Sequence, residues 1–116
     1  MEDLDYNVKD SQGWTGLMAA SFKGNTGLVQ VISQVVGVDV NACDTIGNTA
    51  LILASMEGLL DVVEILLAAE AVDVNRVNLN GWSALIAAAS QGYKAVMNLL
   101  LKKDGILLDL QNKNGW

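Results

Sequence analysis

The chain has 116 residues, of which 52% are hydrophobic and only 5% aromatic, and it carries a formal net charge of −6 without any histidine. This length predicts one domain, and an acidic chain without a basic stripe disfavours nucleic acid and anionic membrane as partners. Polar residues interrupt every apolar run before it reaches the roughly 18 residues of a transmembrane helix, and no signal-peptide pattern opens the chain.

A fixed period of 34 residues runs through the whole sequence. One glycine series falls at Gly13, Gly47, Gly81 and Gly115, and a second at Gly24, Gly58 and Gly92. Other residue types keep the same register, including an Asp-x-Asn lead-in at Asp5/Asn7, Asp39/Asn41 and Asp73/Asn75. Such self-similarity indicates stacked copies of one supersecondary unit. We divide the chain into a partial turn at 1–9, copies at 10–43, 44–77 and 78–111, and the opening of a further copy at 112–116.

The middle copy reads DTIGNTALILASMEGLLDVVEILL and is followed by DVN at 73–75. It resembles the ankyrin repeat, whose pattern is roughly D-x-x-G-x-T-P-L-H-x-A-A-x-x-G-h-x-x-V-V-x-x-L-L and then D-V-N. Tetratricopeptide repeats share a 34-residue period, but the D-x-x-G and D-V-N turn signals and the absence of proline favour the ankyrin pattern. The resemblance implies a single all-α domain, an ankyrin-type helix-turn-helix repeat solenoid with short β-hairpin-like turns.

The predicted elements repeat in the same order in each copy. A hydroxyl at Thr15, Thr49 or Ser83 follows the turn and can N-cap a short first helix, predicted over 16–23, 50–57 and 84–91. The second helix carries an apolar stripe on a period near 3.6 residues. Its members are Leu28, Val29, Ile32, Val62, Val63, Leu66, Leu67, Val96, Met97, Leu100 and Leu101, widened by Val31, Ile65 and Leu99. The closing turn of the third copy departs from the pattern, since Leu107 replaces the aspartate there.

The two ends of the stack are predicted to differ. Repeat stacks need terminal copies with a polar outer face to stay soluble. Thr26, Gln30 and Ser33 polarise the second helix of the first copy, which we expect to act as a modest cap. Apolar residues of the third copy face the place of a further copy: Val96, Met97, Leu99, Leu100 and Leu101. We therefore expect self-association through the uncapped C-terminal repeat.

The sequence predicts no catalytic, cofactor-binding or metal site. His-based triads are excluded, no phosphate-binding glycine motif is present, and Cys43 has no base beside it. Asp39, Asn41 and Asp44 repeat with the turn and lack EF-hand spacing, so we expect them to hold their own backbone. A single cysteine favours a reducing compartment, and cytoplasmic localisation is the expectation.

The ankyrin resemblance implies that the turn tips and the exposed face of each first helix line a concave surface that binds a protein partner. Carried over by position, this surface consists of Ser11, Gln12, Trp14, Phe22, Lys23, Thr45, Ile46, Asn48, Met56, Glu57, Leu79, Asn80, Trp82, Ser90 and Gln91. Aromatic residues and Met are enriched at interface centres. The alternative for Trp14, Trp82 and Trp116 is packing along the hairpin edge as part of the repeat.

A non-catalytic protein-binding module is thus the predicted function. Two alternatives stay open, namely a structural or engineered repeat scaffold without a partner of its own, and a regulatory segment of a larger enzyme. Irregularities at Gly16, Ser33 and Ala71 argue against an idealised consensus design. The sequence does not name the partner.

Overall fold

The computed structural model describes residues 6–107, which form six short α-helices arranged as three helix-turn-helix pairs. The helices are α1 (Gly16–Phe22), α2 (Thr26–Ser33), α3 (Ala50–Met56), α4 (Leu60–Leu67), α5 (Ala84–Gln91) and α6 (Lys94–Leu101). Within this range the sole β-type pairing is an isolated antiparallel bridge between Cys43 and Thr49. The predicted all-α repeat stack is confirmed, and α1 and α3 end one residue earlier than predicted because Lys23 and Glu57 are their C-caps.

The helices form two rows that lie side by side. Helices α1, α3 and α5 contact one another in sequence, and α2, α4 and α6 form the second row. Each first helix also packs on the second helix of its own pair. Every copy therefore buries its apolar residues against its neighbours, as nearest-neighbour packing in a solenoid requires.

Hydroxyl side chains start the helices of the first row as predicted. Thr15 Oγ1 accepts a hydrogen bond from Met18 N at 3.2 Å, and Thr49 Oγ1 accepts one from Ile52 N at 3.2 Å. Ser83 Oγ makes the corresponding contact in the third copy. Each bond satisfies a backbone N–H that lacks a partner within its helix.

The centre of the apolar stripe is buried, but its outermost members are not. In α4, Val62, Val63 and Leu66 are essentially inaccessible to solvent because copies lie on both sides. Leu28 and Val31 of α2 and Leu101 of α6 are exposed. The prediction of a covered stripe is therefore wrong for Leu28 and Val31. Leu101 is exposed as expected for a residue that faces the place of a further copy, whereas Val96 and Leu100, predicted to face the same place, are buried.

The polar residues of the first copy do not cover its free end, in contrast to the expectation. Thr26 lines a cleft with Leu60 and Asp61 of α4, and Gln30 and Ser33 line a second groove against the C-terminal half of α4. They therefore face the second copy, and the free side of α2 presents Leu28 and Val31 instead. Within the described residues, α2 therefore does not provide the polar cap that was predicted for the first copy.

A ladder of asparagines ties the loops between consecutive copies. The side-chain Nδ2 groups of Asn7, Asn41 and Asn75 donate to a carbonyl 30 residues further on, at 2.9, 2.7 and 2.8 Å. Their Oδ1 atoms accept from a backbone N–H 32 residues further on, and in the third copy this donor is Leu107 N at 2.9 Å. Because this bond uses only a backbone group, Leu107 keeps the link to Asn75 despite replacing aspartate.

Candidate partner-binding surface

Each hairpin tip is held by one carboxylate or amide at its base. Asp44 Oδ1 accepts from Ile46 N at 3.0 Å and from Asn48 N at 2.8 Å. Asp10 and Asn78 make the same pair of bonds in the other two tips. The prediction that a turn side chain holds its own backbone is confirmed for Asp44, and also for Asp39, whose Oδ1 accepts from Asn41 N at 3.0 Å.

Hydrogen bonds between neighbours join the three tips into one row. Thr45 N donates to Gln12 O at 3.2 Å, and Leu79 N donates to Ile46 O at 3.0 Å. Side chains strengthen both junctions: Trp14 Nε1 donates to Asp44 Oδ2, and Asn78 Nδ2 donates to Asn48 Oδ1, each at 2.9 Å. The tips are thereby fixed relative to one another.

Most of the predicted partner-binding residues lie at the surface. Ten are exposed: Ser11, Gln12, Phe22, Lys23, Thr45, Ile46, Glu57, Leu79, Asn80 and Gln91. Four are half-buried, namely Trp14, Met56, Trp82 and Ser90, and Asn48 is buried. The three turns and the three first helices thus bring nearly all of these side chains to the solvent-facing edge of the stack.

Asn48 occupies a different place from its neighbours in the predicted set. Its side chain lies beneath the tips, where its Oδ1 accepts from the Asn78 amide. A buried side chain in this position cannot contact a partner directly. Asn48 instead positions the second and third tips relative to each other.

Trp14 has a structural role in the hairpin row. Its indole nitrogen is bonded to Asp44, and its ring packs edge-on against Phe22, with centroids 5.3 Å apart and an interplanar angle of 63°. This geometry is one that aromatic pairs prefer. Trp14 therefore packs along the hairpin edge as part of the repeat, which was the alternative predicted for it. Phe22 remains exposed to solvent. Trp82 is half-buried, and Trp116 lies outside the described residues.

Two of the exposed side chains at the tips, Ile46 and Leu79, are aliphatic, and the other exposed members of the predicted set at the tips are uncharged polar residues. Ile46 is 55% exposed and Leu79 is 62% exposed, although each lies within a hydrogen-bonded turn where a polar residue would fit equally well. Lys23 and Glu57 are the two charged members of the predicted set. Helix α4, in the second row, instead exposes Asp61 and Glu64. The exposed residues of the predicted set at the tips thus carry no charge, whereas α4 exposes two carboxylates.

Nothing in residues 6–107 forms a recognisable reaction or metal centre. No group of three or more Cys, Asp or Glu side chains in this range is arranged to hold a metal ion. Cys43 is half-buried and its thiol is free. The backbone carbonyl oxygen of Cys43 accepts a hydrogen bond from Lys9 Nζ at 2.8 Å. No helix in the described range is long and apolar enough to cross a bilayer.

Comparison with known proteins points to one family. A family model described as "Ankyrin repeats (3 copies)" matches residues 2–78, and one described as "Ankyrin repeat" matches residues 80–113. No curated protein matches the chain. Proteins with these repeats generally act as protein–protein interaction modules and are typically non-catalytic.

Proposed function

The chain belongs to the ankyrin repeat family, and we propose that it is a non-catalytic module that binds a protein partner through its concave surface of hairpin tips and first helices. The exposure of Ile46 and Leu79 on adjacent tips carries this proposal. Exposed apolar side chains that lie together at such an edge mark interaction sites.

The rigidity of the tips supports binding at this edge. The bonds from Thr45 N to Gln12 O and from Leu79 N to Ile46 O fix the spacing of the tips before any partner arrives. A preorganised surface loses less conformational entropy on binding, so more of the contact energy contributes to affinity. The tip edge therefore suits a partner that lies across all three copies.

The chemistry of the surface indicates what the partner presents. Phe22, Ile46 and Leu79 require an apolar counterpart, and Lys23 and Glu57 place one charge of each sign in neighbouring copies. Long-range attraction is weak for such a nearly neutral surface. We expect an apolar protein segment as partner and an affinity that changes little with salt.

Site-specific photocrosslinking tests the location of the interface. A photoreactive residue at position 46 or 79 should capture the same protein from an extract of cells that produce the chain. The matched control is position 60 in α4, because Leu60 is also an exposed aliphatic residue but lies in the second helix row. Equal capture from position 60 contradicts the proposal.

Affinity measurements with the purified captured protein complete the test. Ile46→Asp and Leu79→Asp should each weaken binding about tenfold or more, which corresponds to a loss of about 1.4 kcal/mol. Leu60→Asp should leave the dissociation constant unchanged. Parent-like binding by the Ile46→Asp/Leu79→Asp double variant rules out this surface.

The same proposal places the protein in the cytoplasm, where thioredoxin and glutathione keep a free thiol such as Cys43 reduced. Fractionation of cells that express a tagged chain measures this directly. Recovery in a secreted or organellar fraction would contradict it.

A further inference from the structure

The C-terminal ends of the first-row helices carry a different charge in each copy. Lys23, Glu57 and Gln91 stand at one position of the 34-residue repeat, and all three are exposed. Lys23 and Glu57 are the C-caps of α1 and α3, and Gln91 is the last residue of α5. Along the stack this position therefore reads positive, negative and uncharged, so a partner that lies across the copies meets a different charge in each.

The stability of α3 does not account for Glu57. A helix C-terminus carries a partial negative charge, which favours a cation such as Lys23 and disfavours a carboxylate. Glu57 nevertheless stands at the C-cap of α3, where its role in the cap uses only its backbone N–H. A residue that opposes the local preference of its helix is typical of a functional position.

Both charges are available to a partner. Within residues 6–107 neither Lys23 nor Glu57 takes part in an ion pair or a side-chain hydrogen bond, and the ion pair found there joins Arg76 to Asp73. Helices α1 and α3 pack on each other, so equivalent positions in these copies lie about 8–10 Å apart, the usual distance between packed helices. Opposite charges attract only weakly through water at that distance, and each can therefore pair with a group of the partner.

Apolar side chains connect these charges to the hairpin tips. Phe22 precedes Lys23 and is 41% exposed, and the half-buried Met56 precedes Glu57. The ring of Phe22 lies 5.3 Å from that of Trp14 at the base of the first hairpin. A partner that covers Phe22 and Met56 removes water beside the two charges, and a charge pair in that setting is stronger than one in open solvent.

Building on the proposed function, we propose that the partner segment presents an acidic side chain to Lys23 and a basic side chain to Glu57, with an uncharged stretch over the third copy. The reverse orientation leaves Lys23 without its acidic partner, and a shift by one copy that uses both charges places like charges together. Like charges across an interface oppose binding, so the two residues fix the direction and register of the partner. Because the two charges cancel, they contribute specificity rather than long-range attraction.

A displayed library of random peptides is the probe that tests this charge pattern. Peptides of about twelve residues span roughly 18 Å as a helix and more when extended, which reaches across three copies spaced about 8–10 Å apart. Selection on the immobilised chain, followed by removal of peptides that also bind the Ile46→Asp/Leu79→Asp chain, retains the peptides that use the tip edge. Most of the retained peptides should carry both an acidic and a basic side chain.

Reciprocal charge reversal then identifies which residues pair. Lys23→Glu and Glu57→Lys should each weaken the binding of a retained peptide about tenfold. Replacing the acidic residue of the peptide by lysine should restore binding to the Lys23→Glu chain alone, and replacing its basic residue by glutamate should restore binding to the Glu57→Lys chain alone. Matched controls are Lys94→Glu and Glu64→Lys, which make the same charge changes at exposed positions of α6 and α4 and should bind like the parent.

A melting curve separates binding from folding, because Glu57→Lys removes a charge that opposes the helix dipole and should leave the melting temperature of the chain unchanged or raise it. Peptides that need Ile46 and Leu79 but bind the Lys23→Glu and Glu57→Lys chains as tightly as the parent overturn the charge pattern and leave the proposed function standing. Restoration of both variants by the same peptide change also overturns it, because the effect is then one of net charge. If every selected peptide binds the Ile46→Asp/Leu79→Asp chain as well as the parent, the proposed function fails together with the charge pattern.

Discussion

The side chain of Asn78 joins two hairpin tips at once. Its Nδ2 donates to Oδ1 of the buried Asn48 at 2.9 Å, while its own Oδ1 accepts from the backbone N–H groups of Asn80 and Trp82 at 2.9 and 3.0 Å. A carboxylate could hold the turn in the same way but has no hydrogen to donate. The amide of Asn78 therefore donates to the preceding copy, whereas the equivalent Asp44 accepts a hydrogen bond from the indole of Trp14 in the preceding copy.

Asn78→Ala should destabilise the fold. It removes three hydrogen bonds and leaves Asn48 Oδ1 buried without a partner, and a buried unsatisfied group costs about 1–3 kcal/mol. The free energy of unfolding from urea denaturation should fall by at least that amount. Asn80→Ala is the control, because Asn80 is an exposed residue of the same tip. Equal losses for the two variants would show that the link to Asn48 contributes nothing.

The sequence predicted the helices and their caps because those depend on contacts within one copy. The hydroxyls of Thr15 and Thr49 bond to N–H groups three residues later, and such local partners follow from spacing alone. The register also placed Ile46 and Leu79 on the tips of adjacent turns, where both are exposed. Features that depend on contacts within one copy could therefore be predicted from the repeat pattern.

The contacts between copies were not accessible in the same way. Asn48 occupies the same position of the repeat as the half-buried Trp14 and Trp82, yet it is buried, and Asn78 bonds to it from 30 residues further along the chain. Asn41 was expected to hold its own turn, but its amide bonds to Ala71 O and Asp73 N of the next copy. A period identifies equivalent positions, while the direction of each side chain depends on the neighbouring copy. The recurrence of Asp-x-Asn in each loop was the sequence signal that could have pointed to these contacts between copies.

Two buried serines should be replaceable by alanine without loss of stability. The Oγ atoms of Ser21 and Ser55 are fully buried and lack a hydrogen-bond partner, and the third copy has Ala89 at the same position. Removing an unsatisfied hydroxyl relieves a desolvation penalty of about 1–3 kcal/mol, partly offset by the small void that remains. Ser55→Ala should therefore leave the melting temperature unchanged or raise it.

Ser83→Ala provides the matched control, since it removes a hydroxyl that is equally buried but accepts from Ile86 N. Loss of this N-cap should lower the free energy of unfolding by about 1 kcal/mol. The two changes delete the same atom and should have different effects. A comparable loss from Ser55→Ala would mean that its hydroxyl is satisfied in solution.

Leu66→Ala should cost more stability than Leu101→Ala. Leu66 is enclosed by copies on both sides, whereas Leu101 faces solvent over much of its surface. Truncating an enclosed leucine typically costs about 2–5 kcal/mol because a cavity remains, and an exposed site loses less contact area. Denaturant melts should show the difference. Equal losses would imply that Leu101 is covered in the monomer.

Gly58→Ala should destabilise the fold more than Gly92→Ala, although both glycines have a positive φ, at 69° and 75°. A Cβ at Gly58 would lie 2.9 Å from three ring atoms of Tyr93, whereas a Cβ at Gly92 would meet nothing within 4 Å. The left-handed conformation costs a non-glycine residue about 1–2 kcal/mol in both cases. The additional loss at Gly58, read from urea melts, therefore measures the displacement of the tyrosine ring.

Tyr93→Leu tests whether the tyrosine ring causes the additional loss, because between the first and second copies a glycine, Gly24, already faces a leucine. Leu59 occupies the position of Tyr93 in the second copy, and a Cβ added at Gly24 would lie 3.8 Å from it, which is ordinary van der Waals contact. In the Tyr93→Leu background, Gly58→Ala should cost no more than Gly92→Ala does in the parent. If the excess loss at Gly58 persists without the tyrosine ring, the strain lies in the backbone of the turn, and the steric explanation is wrong.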